Sequence, residues 1–83
     1  MNIMVKLKDI RKDDEYISAY YAPEGKDGNL GYVRIRISDR EVVEKRLTDE
    51  DGRIEFYCKH VRKALRDMLE EGETPTERTI MWY

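Results

Sequence analysis

Apolar and polar residues alternate along much of the first half of the chain, a pattern typical of strands with one buried face. The alternation is clearest in LGYVRIRIS, Leu30 to Ser38, where Val33, Ile35 and Ile37 fall on one side of an extended backbone. The opposite side carries Tyr32, Arg34 and Arg36. This stretch predicts a central strand with apolar residues towards a core and basic residues away from it.

Two strands are predicted before this stretch. In the first, Ile3, Val5 and Leu7 are separated by single intervening residues, so they share one face of an extended chain. The charged run from Asp9 to Glu15 then indicates a connection. Tyr16 to Ala22 is rich in tyrosine and alternates again, which predicts the second strand.

Turn signals enclose the central strand and lead into a fourth one. PEGKDGN, Pro23 to Asn29, contains one proline and two glycines and favours a loop. Ser38 to Arg40 predicts a tight turn, after which Glu41 to Leu47 returns as the fourth strand. Within that strand, Val43 and Leu47 are predicted to face the core.

The second half of the chain contains an apolar stripe at helical spacing. The stripe consists of Ile54, Tyr57, Cys58, Val61, Leu65, Met68 and Leu69. A helix is predicted from about Asp51 to Glu71, with Thr48 and Asp51 resembling a capping box and Gly72 suited to a left-handed C-terminal position. Arg53 to Cys58 also alternates well enough to form a strand, which is the alternative reading of that segment.

A fifth strand is predicted from Arg78 to Tyr83, giving the order β-β-β-β-α-β. The expected fold is a single α+β domain, residues 1–83, in which one long helix packs across one face of an antiparallel sheet of four to five strands. The last strand can pair beside the first or the fourth. The apolar sheet positions expected under the helix are Ile3, Val5, Leu7, Ile17, Val33, Ile35, Ile37, Ile80 and Trp82.

Composition narrows the possible functions. Of the 83 residues 41% are charged, yet the formal net charge is only −2, which argues against a generic nucleic-acid binder. A chain this short needs most of its apolar residues for its core and has few left to line a deep cavity. We therefore expect a protein that is not an enzyme and has no cofactor.

The N-terminal residues MNIMVKLKDI contain charges and no continuous apolar run, so they predict neither a signal peptide nor a membrane span. The single cysteine, Cys58, cannot form an internal disulfide. We expect a cytoplasmic protein that does not associate with membranes.

Candidate catalytic and metal-binding residues are few. Cys58 and His60 lie two residues apart, so on a helix they point in different directions and cannot form a thiolate–imidazole pair. Cys58 also lies in the apolar stripe, where a packing role is expected. One cysteine and one histidine cannot complete a tetrahedral zinc site, and Asp49 to Asp51 lacks the spacing of a calcium loop. No catalytic or metal-binding residue is predicted.

The sheet face opposite the helix carries the most suggestive pattern, because basic and tyrosine side chains share it. The candidate partner-binding residues are Tyr20, Tyr32, Arg34, Arg36 and Arg46. Lys6, Lys8 and Tyr16 fall on the same face, and Glu44 is its one clear acid. Such a face suits an acidic protein partner, because tyrosine and arginine are enriched at interface hot spots.

Two other interpretations of this face remain. Tyrosines can stack on bases while arginines contact phosphates, which would make the chain a nucleic-acid-binding accessory domain. The face could equally be a solvated surface on which basic side chains lie over the sheet. Because two such faces would bring like charges together, we expect a monomer or a weak homodimer.

The order of a GYVRIRI strand, a helix containing YCKHVRKAL and a closing IMWY resembles a family of small bacterial proteins of unknown function. The resemblance covers Gly31 to Tyr83. It implies no activity and assigns no catalytic or binding residue.

Overall fold

Five strands and one helix form in the predicted order. The computed structural model describes residues 3–26 and 28–82, with only the backbone described for Ile3 and Trp82. The strands are β1 (Ile3–Lys12), β2 (Tyr16–Pro23), β3 (Gly31–Arg36), β4 (Val42–Arg46) and β5 (Arg78–Trp82). The helix α1 spans Cys58–Glu71 and follows a single 3-10 turn at Asp49–Asp51. The predicted α+β class is confirmed.

The strands form one antiparallel sheet in the order β4-β3-β2-β1-β5. β5 pairs with β1, with Val5 opposite Ile80, so the choice between the first and fourth strand is settled in favour of the first. β4 and β5 are consequently the two edges of the sheet. Tyr83, the last residue of the predicted fifth strand, lies outside the described residues.

The core lies between α1 and one face of the sheet, as the alternation predicted. The fully buried sheet residues in this core are Val5, Leu7, Ile17, Ala19, Tyr21, Val33 and Ile35. Their partners on the helix are Cys58, Val61, Ala64, Leu65 and Met68. Ile80 is partly buried against this core, and Ile37, beyond the end of β3, is half-buried. The predicted inward side chains of Ile3 and Trp82 lie outside what is described.

β1 is longer than predicted because a bulge at Asp9 lets the strand continue, with the inward alternation resumed at Ile10. Its pairing with β2 shifts between Lys8 and Arg11, and Asp9 has a φ of 50°. Aspartate tolerates this left-handed conformation better than most residues, so it can form a bulge without ending the strand. Ile10 is therefore buried, and the predicted connection over residues 9–15 is wrong for residues 9–12.

The inward face of β4 was also predicted wrongly. Val43 and Leu47 are each 38% exposed, whereas Val42 packs against the core. For Val43 the cause is a register shift in the β3–β4 ladder between Arg34 and Ile35, which places Val42 rather than Val43 opposite Ile35. Glu44 and Arg46 keep their predicted face, opposite Arg34 and Tyr32, and Leu47 lies beyond the end of β4.

α1 begins at Cys58 rather than Asp51, so both sequence interpretations of residues 53–57 are wrong. These residues form turns, and Ile54 is 68% exposed instead of contributing to the core. The side chain of Glu55 holds the segment in place, accepting hydrogen bonds of 2.8 Å from Lys45 Nζ and 2.7 Å from Arg62 Nη1. The predicted end of the helix is confirmed by Gly72, whose φ is 78°.

The carboxylate of Asp51 joins the sheet, the 3-10 turn and the start of α1. It is 1% exposed, and its Oδ2 accepts hydrogen bonds from the Tyr21 hydroxyl at 2.6 Å and from the Thr48 amide and hydroxyl, both at 2.8 Å. Its Oδ1 accepts from the amides of Tyr57 at 2.9 Å and Cys58 at 2.6 Å. The predicted pairing of Thr48 with Asp51 is present, and the same carboxylate also caps α1.

Burial alone would raise the pKa of Asp51, but the hydrogen bonds from Tyr21, Thr48 and Cys58 outweigh it and hold the pKa below its ordinary value. Tyr21 reaches this carboxylate because Gly31 lies opposite it in the β2–β3 ladder. A Cβ at position 31 would lie 2.1 Å from Cζ of the Tyr21 ring. The absence of a side chain at Gly31 therefore leaves the space that the Tyr21 ring occupies.

Candidate partner-binding face

The sheet face opposite α1 is organised by the register of its strands. In one row, Lys8 of β1 lies opposite Tyr20 of β2, Tyr20 opposite Tyr32 of β3, and Tyr32 opposite Arg46 of β4. Because directly opposite residues in antiparallel strands project from the same face, the row places two tyrosines between two cations. We call Lys8, Tyr20, Tyr32 and Arg46 the central row.

Tyrosine rings and guanidinium groups contact one another along the central row. The Tyr20 and Tyr32 ring centroids are 4.9 Å apart, and their planes are tilted by 51°. The guanidinium carbon of Arg46 lies 6.0 Å from the Tyr20 centroid, at the outer limit of a cation–π contact. Both tyrosines are half-buried, so each presents only part of its ring to solvent.

The next row is shallower because its middle residue is small. Ser18 lies between Arg11 of β1 and Arg34 of β3. A depression around Ser18 is lined by these two arginines together with Tyr16 and Tyr32. The guanidinium carbon of Arg34 lies 3.9 Å above the centroid of the Tyr16 ring, so this cation covers one face of that ring.

Acidic side chains partly neutralise the cations at the margin of the face. Arg36 Nη1 lies 2.8 Å from Asp39 Oδ2, and Arg34 Nη1 lies 3.9 Å from Glu44 Oε1. The pKa of Asp39 is lowered, first by the hydrogen bond from the Glu41 amide and then by Arg36. Each of these pairs is exposed, which limits its strength.

All five candidate partner-binding residues lie on one face of the sheet. Tyr20, Tyr32 and Arg46 belong to the central row, and Arg34 belongs to the next. Arg36, opposite Tyr16, lies furthest from the centre and contacts Asp39. That these residues bind a partner stays a prediction.

Sequence reasoning missed Arg11 as a member of this face. Because residues 9–12 were assigned to a connection, neither Arg11 nor its contact with Asp9 was anticipated. The Nε of Arg11 lies 3.0 Å from Asp9 Oδ1, which places an acid beside the depression around Ser18. The available signal was Ile10, an apolar residue that resumes the inward alternation after one irregular position.

The structure places Cys58 and His60 in different environments. Cys58 is fully buried, and its Sγ accepts a 3.6 Å hydrogen bond from Arg62 Nη1. Burial raises the pKa of its thiol, even though Arg62 acts in the opposite direction. His60 is half-buried and lines a groove between α1 and β5, and burial lowers its pKa. This arrangement does not pair a thiol with a base.

Two further properties of the described residues concern metal binding and the length of the helix. Within residues 3–26 and 28–82, no three His, Cys, Asp or Glu side chains gather closely enough to hold a metal ion. In the same part of the chain, no helix has the length and apolarity needed to cross a bilayer.

Comparison of the chain with protein-family models, with curated proteins and with solved structures finds no match. Function must therefore be inferred from the geometry and chemistry of this chain.

Proposed function

We propose that this chain is a non-enzymatic interaction module that binds an acidic segment of a partner protein on the sheet face opposite α1. The observation that supports the proposal is the central row, in which Tyr20 and Tyr32 lie between Lys8 and Arg46. Aromatic residues flanked by cations can bury apolar area at the centre of an interface and pair with carboxylates at its rim. The predicted cytoplasmic location is part of this proposal.

A protein partner suits this face better than a nucleic acid does. Base stacking requires an open aromatic face, but Arg34 covers one face of Tyr16 at 3.9 Å. Tyr20 and Tyr32 pack against each other with their centroids 4.9 Å apart, so each ring already has an aromatic neighbour.

The partner is expected to be acidic because cations outnumber acids on this face. The cations are Lys6, Lys8, Arg11, Arg34, Arg36 and Arg46. Glu44 is the acid within β4, and Asp9, Asp13, Asp39 and Glu77 lie at the margin, so six cations face five acids. An acidic segment would therefore gain both attraction at long range and direct ion pairs on docking.

The experiment is a titration of isotopically labelled protein, followed by amide chemical shifts, with a synthetic peptide of alternating glutamate and leucine. Shift changes are expected at Tyr20, Tyr32 and Arg46. Arg46→Glu should weaken binding at least about tenfold, because it replaces an attraction with a repulsion. Arg53→Glu reverses an exposed charge in the turn before α1 and is the matched control, with no loss of affinity expected.

A mixed-sequence single-stranded oligonucleotide serves as the competing probe at the same salt concentration. Tighter binding of the oligonucleotide, lost with Arg46→Glu, would replace the proposal with the nucleic-acid alternative. Shift changes that spread over α1, or equal losses with Arg53→Glu, would show that the peptide binds through net charge rather than through this face. No binding of either probe at high protein concentration would overturn both functions.

A further inference from the structure

The two edges of the sheet differ in how they are protected against strand pairing. The β4 edge carries three consecutive charged residues, Glu44, Lys45 and Arg46, together with an irregular register. Charges and bulges are the usual devices that keep an edge strand from pairing with another chain. β5 carries the uncharged run Thr79, Ile80, Met81 and Trp82, and Met81 is 53% exposed. Within β5 the charged residue is Arg78, at the start of the strand, and the pairing with β1 is regular from Ile3 to Leu7.

The hydrogen bonds of β1 show which groups of β5 face the open edge. The Met4 carbonyl accepts a hydrogen bond from the Glu24 amide, so the backbone groups of Met4 point towards β2. Backbone groups alternate in direction along a strand, so those of Val5 point towards Ile80, its partner in β5. By the same alternation, the N–H and C=O groups of Thr79 and Met81 point away from β1, towards the open edge.

We propose that β5 pairs antiparallel with β5 of a second copy of this chain, about a two-fold axis that passes beside Ile80. In this register, Thr79 lies opposite Met81 of the second copy, and Met81 lies opposite its Thr79. Both are hydrogen-bonded pairs, in which each pair exchanges two N–H···O bonds. The two sheets then form one continuous sheet, with both sheet faces that carry the central row on the same side.

The side chains of β5 are compatible with this register. Ile80 lies opposite its own copy, and Arg78 lies opposite Trp82, so no like charges meet across the axis. A two-fold pairing of β4 about Glu44 would instead place that carboxylate opposite itself, which is destabilising. Self-association is therefore specific to the β5 edge.

The charge on α1 is compatible with the same antiparallel arrangement. α1 runs antiparallel to β5, because Glu71 at its end lies 3.9 Å from Arg78 at the start of β5. On the side of α1 that lines the groove to β5, Lys63 lies nearer the start of the helix and Asp67 nearer its end. Lys63 Nζ lies 2.8 Å from Asp67 Oδ2, so these two charges offset each other and do not oppose the approach of a second copy.

Pairing of two five-residue strands buries less area than a standard interface, so the dimer is weak and depends on protein concentration. It uses the edge of the sheet and leaves the central row uncovered. Dimerisation and acidic-peptide binding can therefore fail independently.

The experiment is sedimentation equilibrium of the full chain at concentrations up to about 1 mM. The native sequence should dimerise reversibly. Thr79→Lys combined with Met81→Lys places two lysine pairs across the axis and should weaken association at least about tenfold. Thr79→Lys combined with Met81→Glu places lysine opposite glutamate and should restore it. Val43→Lys, on the β4 edge, is the control and should leave association unchanged.

Cross-linking tests the register directly. Ile80→Cys should form a disulfide between copies on oxidation, because opposite residues of a non-hydrogen-bonded pair lie about 4.5 Å apart at Cα. Thr79→Cys should not form this disulfide, because position 79 lies opposite position 81 of the second copy and the two cysteines would be offset by two residues along the strands. A native chain that remains monomeric at the highest concentration overturns the proposal. So does cross-linking that is faster at position 79 than at position 80, or equal dimerisation of both lysine-containing double variants.

Discussion

The hydroxyl of Tyr21 in β2 donates a 2.6 Å hydrogen bond to the carboxylate of Asp51, which follows it by 30 positions in the chain. This contact crosses the core from the sheet to the 3-10 turn before α1. Burial, and then the hydrogen bond to Asp51, raises the pKa of Tyr21. The tyrosine therefore remains a neutral donor while the buried carboxylate remains charged.

Asp51→Asn should destabilise the fold by about 2–4 kcal/mol. The amide keeps the shape of the side chain but replaces one accepting oxygen with a donor, so buried donors such as the Cys58 amide lose their acceptor. Urea titration measures the loss. Asp49→Asn, at an exposed position of the same 3-10 turn, is the matched control and should change stability by less than about 0.5 kcal/mol. Equal effects would show that the hydrogen bonds of Asp51 contribute no special stability.

The same carboxylate makes stability depend on pH. Because the folded-state pKa of Asp51 lies below its unfolded value of about 3.9, its contribution is fully present above that pH and is lost as pH falls towards the folded-state pKa. Urea titrations at pH 7 and pH 3 should show a smaller decrease in stability for Asp51→Asn than for the native chain. Other carboxylates, including Asp13 and Asp39, also have lowered pKa values. Their protonation should reduce the stability of both proteins at pH 3 by the same amount. Parallel pH profiles would contradict the role assigned to Asp51.

Gly31→Ala should destabilise the fold by about 1–3 kcal/mol, as overpacking of a core does. The added Cβ would lie 2.1 Å from the Tyr21 ring, so the ring must move away from Asp51. Gly28→Ala is the control, because a Cβ there meets nothing within 4 Å. Thermal unfolding and the near-ultraviolet circular dichroism of tyrosine should both change for Gly31→Ala and not for the control. A neutral Gly31→Ala would mean that the ring has another position available.

Cys58 should react slowly with a thiol reagent in the native protein and rapidly in denaturant. The side chain is fully buried, and burial raises the pKa of the thiol, so little reactive thiolate reaches solvent. Ile54→Cys introduces an exposed thiol four residues earlier. In this variant the new thiol should react rapidly with the reagent and the Cys58 thiol slowly. Two rapid reactions would show that Cys58 is accessible.

Hydrophobic alternation was sufficient to predict the strand order along the chain and the helix-facing residues of β2 and β3. Period-two alternation also predicted the shared face of Tyr20, Tyr32 and Arg34, because face assignment within a regular strand follows from parity alone. It failed for Val43, where the ladder changes register, and for residues 9–12, where Asp9 adopts a positive φ. Such irregularities depend on neighbouring strands.

The start of α1 could not be found from local sequence for a related reason. Ile54 has the right spacing for the apolar stripe but lies in a turn, 68% exposed. The residue that determines where α1 starts is Asp51. Its carboxylate accepts hydrogen bonds from the amides of Tyr57 and Cys58, which follow it by six and seven positions. No helix-capping pattern within one turn encodes that distance.

The Asp51 carboxylate also determines which end of α1 opens first. The first amides of a helix are ordinarily the most easily exposed to exchange with solvent, because they lack partners within the helix. In α1, the Cys58 amide is held at 2.6 Å by a buried group that is itself bonded to β2, so releasing it disrupts a contact with the sheet. Fraying should therefore begin near Gly72, and the start of the helix should open only when the whole domain unfolds.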